Sequence, residues 1–186
     1  VRPRLNERTL GSISLFAIAP QPLLVLLGSL MTDIPDTDVF QLHREPRTWK
    51  WLDDDGPSSH VFKLKPPRKK GTGPVALVLS LSAPIAQDRV VRALGPSARV
   101  WELTIDAPDN DFLRSREQLA AFRRTMRAAY NRIKTSVGDG VPLHVFPAAP
   151  VAINVEVGRV RQPKADLPLV VYDSHEGTFT KALEIR

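Results

Sequence analysis

Residues 74–186 alternate between continuous apolar runs and helical spacings of apolar residues. Val75–Leu81 is an unbroken run rich in β-branched residues, as expected of a strand that is covered on both faces. A helix over Ile85–Leu94 and a strand over Arg99–Ile105 follow it. Phe112–Thr135 carries apolar residues three and four positions apart, which predicts a long helix with one buried face.

The stretch Pro142–Arg159 predicts a buried strand, a turn of small residues with backbone N–H groups to offer, and a short helix. A strand over Leu167–Tyr172, a turn at Ser174–Gly177 and a strand over Thr178–Ile185 complete the chain. The predicted order from residue 74 is therefore β-α-β-α-β-α-β-β. This alternation indicates a mostly parallel sheet, and such sheets bind ligands at the carboxyl ends of their strands.

The N-terminal third predicts fewer elements. Ile13–Ile18 has the pattern of a buried strand, and Leu23–Leu30 that of a buried helix. Val39–His43 and Trp49–Leu52 alternate like two strands and are expected to form a hairpin. Residues 61–65 alternate once more, which predicts a further short strand.

Residues 13–54 resemble residues 143–184 when the two segments are compared without gaps at an offset of 130. Identical pairs at this offset include Phe16 and Phe146, Pro20 and Pro150, and Gly28 and Gly158. The shared spacing favours a duplicated unit, with chance similarity as the alternative. We therefore expect a shortened first half over residues 1–65, a linker over 66–73 and a second half over 74–186, with one groove between the halves.

Charge and composition narrow the function classes. The net charge of +6 and the pI near 10.0 suit an anionic partner such as a nucleic acid, a nucleotide or a membrane surface. The absence of cysteine excludes disulfides and thiolate metal sites. The longest apolar run, Leu10–Met31, is interrupted by Pro20 and Pro22, so we do not predict a membrane span. The first residue is valine, which suggests a fragment or a processed product.

Three motifs, VALVLSLSAPI, LHVFPAAPVAINVEVGR and LPLVVYD, together resemble those of a SAVED domain. SAVED domains are sensor modules of bacterial anti-phage defence that are related to a fusion of two CARF-like (CRISPR-associated Rossmann-like) units. The resemblance is best over residues 74–186 and weaker over 13–65. It implies an α/β fold of two Rossmann-like, CARF-like halves with mostly parallel sheets, each ending in a β-hairpin, with the first half truncated.

The resemblance also implies a function. Such a domain binds a cyclic dinucleotide, such as cGAMP, or a cyclic trinucleotide that a partner nucleotidyltransferase makes, and it uses no cofactor. The ligand would drive homo-oligomerisation and activate a fused upstream effector, commonly a DNA endonuclease. The chain itself would then be a non-enzymatic, cytoplasmic sensor that meets DNA only through its effector and does not contact a membrane.

The candidate ligand-binding residues lie mainly in turns at the predicted carboxyl edge of the sheet. Ser82-Ala83-Pro84 could offer N–H groups and a hydroxyl to a phosphate at a helix N-terminus, with plain helix capping as the alternative. The small turn before Val151 would let a base or phosphate approach the backbone. The full set of candidates is Ser82, Ala83, Pro84, Asp106, Phe146, Pro147, Ala148, Ala149, Pro150, Arg159, Arg161, Lys164, Pro20, Gln21, Trp49 and Tyr172.

Different residue types in this set suggest different contacts. Arg159, Arg161 and Lys164 form a basic loop that suits phosphates, with a solvated loop as the alternative. Trp49 and Tyr172 are candidate platforms for base stacking. Asp106 follows a strand, where its carboxylate could contact a base amine or cap the next helix.

Two other functions remain open from the residues alone. One is a small α/β enzyme that acts on a nucleotide with Asp106 and Ser82. The other is a basic module that binds DNA. The sequence contains no nucleophile elbow and no glycine-rich phosphate loop, and its four histidines lack the spacing of metal ligands.

Overall fold

The computed structural model describes residues 12–31, 36–52, 62–68 and 71–186. Within these ranges the strands are β1 (Ile13–Leu15), β2 (Thr37–Val39), β3 (Lys63–Lys65), β4 (Val75–Ser80), β5 (Arg99–Thr104), β6 (Leu143–Ala148), β7 (Leu169–His175) and β8 (Thr178–Ile185). The helices are α1 (Gln21–Leu30), α2 (Gln87–Leu94), α3 (Arg116–Val137) and α4 (Val151–Val160). The predicted order β-α-β-α-β-α-β-β from residue 74 is confirmed. Below, residues 12–52 are the N-terminal segment and residues 71–186 the C-terminal segment.

A six-stranded sheet in the order β3-β5-β4-β6-β7-β8 forms the centre of the C-terminal segment. β4 lies inside it with every residue buried, as its unbroken apolar run predicts. β4 pairs in parallel with β5 and β6, and β6 pairs in parallel with β7. β3 and β8 add antiparallel strands at the two ends. The prediction of a mostly parallel sheet is therefore confirmed, and the parallel strands share one carboxyl edge.

α3 begins at a capping box and buries one face. The Ser115 hydroxyl accepts a hydrogen bond from the backbone N–H of Gln118, whose side chain accepts one from the backbone N–H of Ser115. The buried positions include Leu119, Phe122 and Ile133, which are those of the predicted apolar face. Within the described ranges, no helix is long and apolar enough to cross a membrane.

Arginines of α3 hold the helix to its surroundings. Arg116 pairs with Asp38 of β2 at 2.7 Å, and Arg123 lies 3.4 Å from the carboxylate of Glu156. Arg127 forms a two-pronged pair with Asp166. These arginines therefore contribute tertiary contacts, and they do not form the free cationic face that binding to DNA along this helix would need.

The offset found in the sequence has a counterpart in the structure. Shifted by 130 residues, α1 covers the same positions as α4. α1 connects two parallel strands, β1 and β2, just as α4 connects the parallel strands β6 and β7. The same order of strand, helix and parallel strand thus occurs in both segments.

The two equivalent helices cross at glycines. A Cβ atom on Gly28 of α1 would lie 1.9 Å from the carbonyl oxygen of Val155 in α4. A Cβ atom on Gly158 of α4 would lie 2.0 Å from the carbonyl oxygen of Val25 in α1. Because Val25 and Gly28 are shifted by 130 from Val155 and Gly158, the contact is reciprocal. The helices therefore meet about a local pseudo-two-fold axis.

The hairpin predicted in the N-terminal segment is wrong. Residues 40–52 contain no strand, and β2 ends at Val39. The backbone there is satisfied in other ways: His43 N–H donates to Thr48 O, and Leu52 N–H donates to Arg114 O, both at 2.9 Å. The strand expected over residues 61–65 forms as β3, but it pairs with β5 in the large sheet. The segment that follows β2 thus packs against the C-terminal segment.

Candidate functional site

A cavity of about 660 Å³ opens at the carboxyl edge of the sheet and has walls from both segments. We call it the edge cavity. The N-terminal segment contributes residues between positions 18 and 47, and the C-terminal segment contributes residues between positions 82 and 151. The lining residues are Ile18, Gln21, Gln41, Leu42, His43, Arg44, Arg47, Ser82, Ala83, Asn110, Ala148, Ala149, Pro150 and Val151.

The edge cavity is lined by equivalent positions of the two pseudo-symmetric segments. Ile18 and Ala148 both line it, and so do Gln21 and Val151, which are pairs at the offset of 130. The side chains within each pair differ in size or polarity. Equivalent backbone positions therefore face the cavity with different chemistry on its two sides.

Two glutamines of the N-terminal segment cap the start of α4. The residue at the N-cap of α4 is Pro150, whose side chain offers no hydrogen-bond acceptor. Gln41 Oε1 accepts from the backbone N–H of Ala152 at 3.1 Å, and Gln21 Oε1 accepts from that of Ala149 at 3.2 Å. The expectation that this turn offers its N–H groups is therefore wrong for Ala149, and the N–H of Ala152, the second residue of α4, also has a partner.

Arg44 and Arg47 are the arginines that line the edge cavity, and both are exposed. The backbone N–H of Arg44 donates to Asp111 Oδ1 at 3.3 Å, which attaches their loop to the C-terminal segment. Both guanidinium groups are planar and permanently charged, so they suit the oxygens of phosphates. In the sequence they fall in the connection of the predicted hairpin, where charged residues are ordinary, so no local signal marked them as site residues.

His43 lies in the wall of the edge cavity and is fully buried. Its Nδ1 is 3.9 Å from Asp111 Oδ1, and its ring meets the Trp51 ring edge-on at 5.9 Å. Burial lowers the pKa of His43 below the ordinary value of 6.5, although Asp111 opposes this effect and Arg114 adds to it. The imidazole is therefore neutral at pH 7, and within the described residues neither ring nitrogen has a hydrogen-bond partner.

Six of the candidate residues lie together in the edge cavity. They are Gln21, Ser82, Ala83, Ala148, Ala149 and Pro150. Ser82 and Ala83 do not start a helix as predicted, since α2 begins only at Gln87. The backbone N–H of Ser82 donates instead to Ala148 O at 2.7 Å, which joins the ends of β4 and β6.

The aromatic candidates lie outside the edge cavity. Phe146 is fully buried and stacks on Tyr172 with 4.3 Å between ring centroids. Both belong to a second apolar cluster, which also includes Phe179. Trp49 packs edge-on against Phe16 at 5.3 Å. The structure therefore uses these rings for packing, and their role as stacking platforms stays a prediction.

Four further candidates lie near the carboxyl edge but do not line the cavity. Asp106 is exposed and forms an ion pair with Lys63 of β3. Pro147 is buried within β6, while Pro20 and Pro84 are exposed. The enzyme alternative requires Asp106 and Ser82 in one site, but of the two only Ser82 lines the edge cavity.

The structure does not bring the basic loop to the edge cavity. The Arg159 side chain is only 6% exposed and pairs with the buried carboxylate of Glu156 at 2.8 Å. Arg161 is also buried, and its guanidinium donates to the backbone oxygens of Leu167 and Arg186. Lys164 is exposed in the connection that leads to the amino end of β7, which is the opposite edge of the sheet. Their contact with a ligand stays a prediction without support from this geometry.

Parallel strands joined by helices, with a cavity at their carboxyl edge, define a Rossmann-type α/β domain. The chain belongs to the SAVED family, whose description is "SMODS-associated and fused to various effectors sensor domain" and whose family model matches residues 1–185. It is thus a sensor domain, as the sequence motifs indicated. No curated protein matches the sequence.

Solved structures of SAVED/CARF-domain receptors have a similar fold. The Acinetobacter baumannii Cap4 receptor with the cyclic trinucleotide 3′3′3′-cAAA matches at a TM-score of 0.63 and 15% identity, covering 89% of this chain and 36% of that one. The A. baumannii receptor without a named ligand matches at 0.62 and 18% identity, covering 92% and 36%. The Moraxella osloensis Cap4 receptor matches at 0.55 and 14% identity, covering 89% and 34%. The chain thus spans about a third of the length of these receptors.

Proposed function

We propose that this sensor domain binds a cyclic di- or trinucleotide in the edge cavity. The observation that carries the proposal is the cavity itself, because it lies at the carboxyl edge, has walls from both segments and is lined by Arg44 and Arg47. Its volume of about 660 Å³ falls within the range of small-molecule sites. Membership in a family of sensor domains and the cyclic trinucleotide bound to a receptor of similar fold support the same ligand class.

The charge distribution suits such a ligand. A cyclic oligonucleotide carries one negative charge on each phosphate, and Arg44 and Arg47 place permanent positive charges at the cavity. The net charge of +6 favours the approach of an anion over a longer range. The neutral lining of Ala83, Ala148 and Pro150 leaves room for bases beside the charged groups.

We further propose that binding is coupled to self-association and to a fused effector, such as a DNA endonuclease, in the cytoplasm. The family description, which names fusion to various effectors, supports this coupling. The domain would then perform no chemistry of its own. Its role would be to convert the concentration of a cyclic nucleotide into activation of the effector.

Calorimetry with a panel of nucleotides tests the proposal. The panel contains 3′3′3′-cAAA, 2′3′3′-cAAA, cGAMP and the linear trinucleotide as a control. We expect one cyclic species to bind with a sub-micromolar Kd, the linear control to bind much more weakly, and chromatography to recover the ligand intact. Hydrolysis of the ligand would support a nucleotide-acting enzyme. Binding of DNA alone, with a steep dependence on salt, would support a DNA-binding module.

A further inference from the structure

Gln21 lies at the start of α1 and lines the edge cavity with its carboxamide oxygen already occupied. That oxygen accepts hydrogen bonds from the backbone N–H of Ala149 at 3.2 Å and from Asn154 Nδ2 at 3.1 Å. A carboxamide has an acceptor at its oxygen and two donors at its nitrogen. Two donors thus fix the oxygen, and the Nε2 amino group of Gln21 keeps its donors for other acceptors.

The network around Asn154 fixes the orientation of the Gln21 amide. Asn154 is fully buried, and its Nδ2 also donates to the backbone oxygens of Ala149 and Pro150, at 2.9 and 3.2 Å. Those carbonyls can only accept, so Asn154 must direct its nitrogen toward this side. If Gln21 rotated by half a turn, its amino group would face two donors. The geometry therefore holds the Gln21 amide in one orientation.

We propose that Gln21 donates a hydrogen bond from Nε2 to an acceptor atom of one base of the bound cyclic oligonucleotide, and that Asn154 is the positioning residue for this contact. The inference rests on the proposed function. Arg44 and Arg47 are the charged groups suited to the phosphates in the same cavity, whereas a neutral carboxamide suits the edge of a base. With its oxygen occupied, Gln21 can donate to an acceptor atom of the base but cannot accept from an exocyclic amine.

The pseudo-symmetry restricts this contact to one side of the edge cavity. The position equivalent to Gln21 is Val151, which also lines the cavity and carries no polar side-chain atom. A ring bound across the pseudo-two-fold axis thus meets a hydrogen-bond donor on one side and a methyl surface on the other. Gln21 therefore selects a single base of the ring.

Deaza analogues of 3′3′3′-cAAA test the contact. In these cyclic trinucleotides the same nitrogen, N1, N3 or N7, is replaced by C–H in all three adenines, so that rotation of the symmetric ring cannot present an intact base, and the charge is unchanged. We expect one analogue to bind the wild-type chain about 10-fold more weakly than 3′3′3′-cAAA, the ordinary effect of one lost hydrogen bond in a closed site. The ratio of the two Kd values is the measured quantity.

The variant Gln21→Glu gives the matched comparison. A glutamate still accepts from Ala149 and Asn154, but it has no donor for the ligand. Its negative charge repels the phosphates of 3′3′3′-cAAA and of the analogue alike, so the two ligands differ only in the local contact, as in a double-mutant cycle. We expect the 10-fold ratio to fall to about 1 or below, because a carboxylate oxygen repels the lone pair of an acceptor nitrogen but not a C–H group. In Asn154→Ala the Gln21 amide can rotate, so we expect a ratio between those of the wild-type chain and Gln21→Glu. Gln162→Glu adds the same charge at the exposed opposite edge and should keep the wild-type ratio.

The outcomes separate this inference from the proposed function. If the wild-type chain binds no member of the panel, the proposed function fails and the role of Gln21 fails with it. If it binds 3′3′3′-cAAA with no sensitivity to any deaza substitution, or if Gln21→Glu keeps the wild-type ratio, the proposed function stands and only the role of Gln21 is overturned. If another purine ring of the panel binds more tightly, its own deaza analogues give the same comparison.

Discussion

Gly28 and Gly158 lie against each other's helices at positions 130 residues apart, with no side chain between them. The carbon atom of the Gly28 carbonyl would be 3.0 Å from a Cβ atom on Gly158. Helices usually pack with their axes 8–10 Å apart, and only small residues allow a closer approach. This crossing joins the two segments that form the edge cavity, so the shape of the cavity depends on it.

Substitution of either glycine by alanine should destabilise the whole domain. Gly28→Ala and Gly158→Ala each place a Cβ atom against backbone, which cannot move aside as a side chain can. We expect each to lower the free energy of unfolding by about 1–3 kcal/mol or more, measured by chemical denaturation. Gly71→Ala is the control, because a Cβ atom there meets nothing within 4 Å. Equal stabilities of all three variants would contradict the close crossing.

The cap that Gln41 supplies to α4 should have a measurable effect on stability. Gln41→Leu keeps an apolar stem but removes the acceptor for the N–H of Ala152. We expect a loss of about 1 kcal/mol in the free energy of unfolding, the usual effect of losing an N-cap. Gln162→Leu on the surface serves as the control. A wild-type stability for Gln41→Leu would show that this N–H finds another partner.

Charge-reversal variants test whether the ligand binds at the edge cavity or at the basic loop of Arg159, Arg161 and Lys164. Arg47→Glu should weaken binding of the tightest cyclic nucleotide of the panel at least about 10-fold, because it replaces an attraction to phosphate by a repulsion. Lys164→Glu makes the same change of charge at the opposite edge and should leave the Kd nearly unchanged. Calorimetry measures both. A weaker binding of Lys164→Glu together with an unchanged Kd of Arg47→Glu would show that the ligand binds at the basic loop.

Arg159 should be needed for stability. Its guanidinium neutralises the buried carboxylate of Glu156. Arg159→Leu leaves that carboxylate with Arg123 as its neighbouring cation at 3.4 Å, so we expect a loss of about 3 kcal/mol in the free energy of unfolding. The double variant Arg159→Leu/Glu156→Leu should recover part of it, since no buried charge is then left behind. No recovery would show that packing accounts for the loss.

The stability of the domain should fall in mild acid. The pKa of His43 is lowered, mainly by burial, so the unfolded chain takes up a proton below about pH 6.5 while the folded chain does not. The free energy of unfolding should therefore decrease as the pH falls from 7 through 6.5 to the pKa of folded His43. Urea titrations at several pH values measure how steeply the free energy of unfolding depends on pH. His43→Phe should make this dependence less steep. The part that remains should come from His144, whose pKa burial also lowers. An unchanged slope would contradict a neutral buried His43.

Local pattern was enough to predict most of the fold. Val75–Leu81 predicted the central strand because a strand buried on both faces needs an unbroken apolar run. The helix over Phe112–Thr135 followed from its spacing, although its start shifted to Arg116 because Ser115 and Gln118 form the cap. The hairpin over residues 39–52 failed because Phe40 N–H donates to Leu15 O and Leu52 N–H donates to Arg114 O. The two ends of the segment therefore pair with other parts of the chain, which an alternating pattern cannot reveal.

The site was harder to predict because the sequence shows which residues are charged but not which of them are buried. Arg159 and Arg161 looked like surface residues, yet the side chains of both are enclosed and have specific partners. Arg44 and Arg47 looked equally ordinary and line the edge cavity. The capping role of Gln41 joins residues 111 positions apart and has no local signal. By contrast, Ser82 and the small turn before α4 were found because strand ends can be located from the apolar pattern.

The shared wall of the edge cavity has a thermodynamic consequence. A molecule held there would touch residues of both the N-terminal and the C-terminal segment, so it would hold together parts of the chain that are distant in sequence. Ligand at 100 times its Kd adds about 2.7 kcal/mol to the stability of a protein that binds it only when folded. The melting temperature of this domain should therefore rise with ligand concentration, and occupancy and rigidity should increase together.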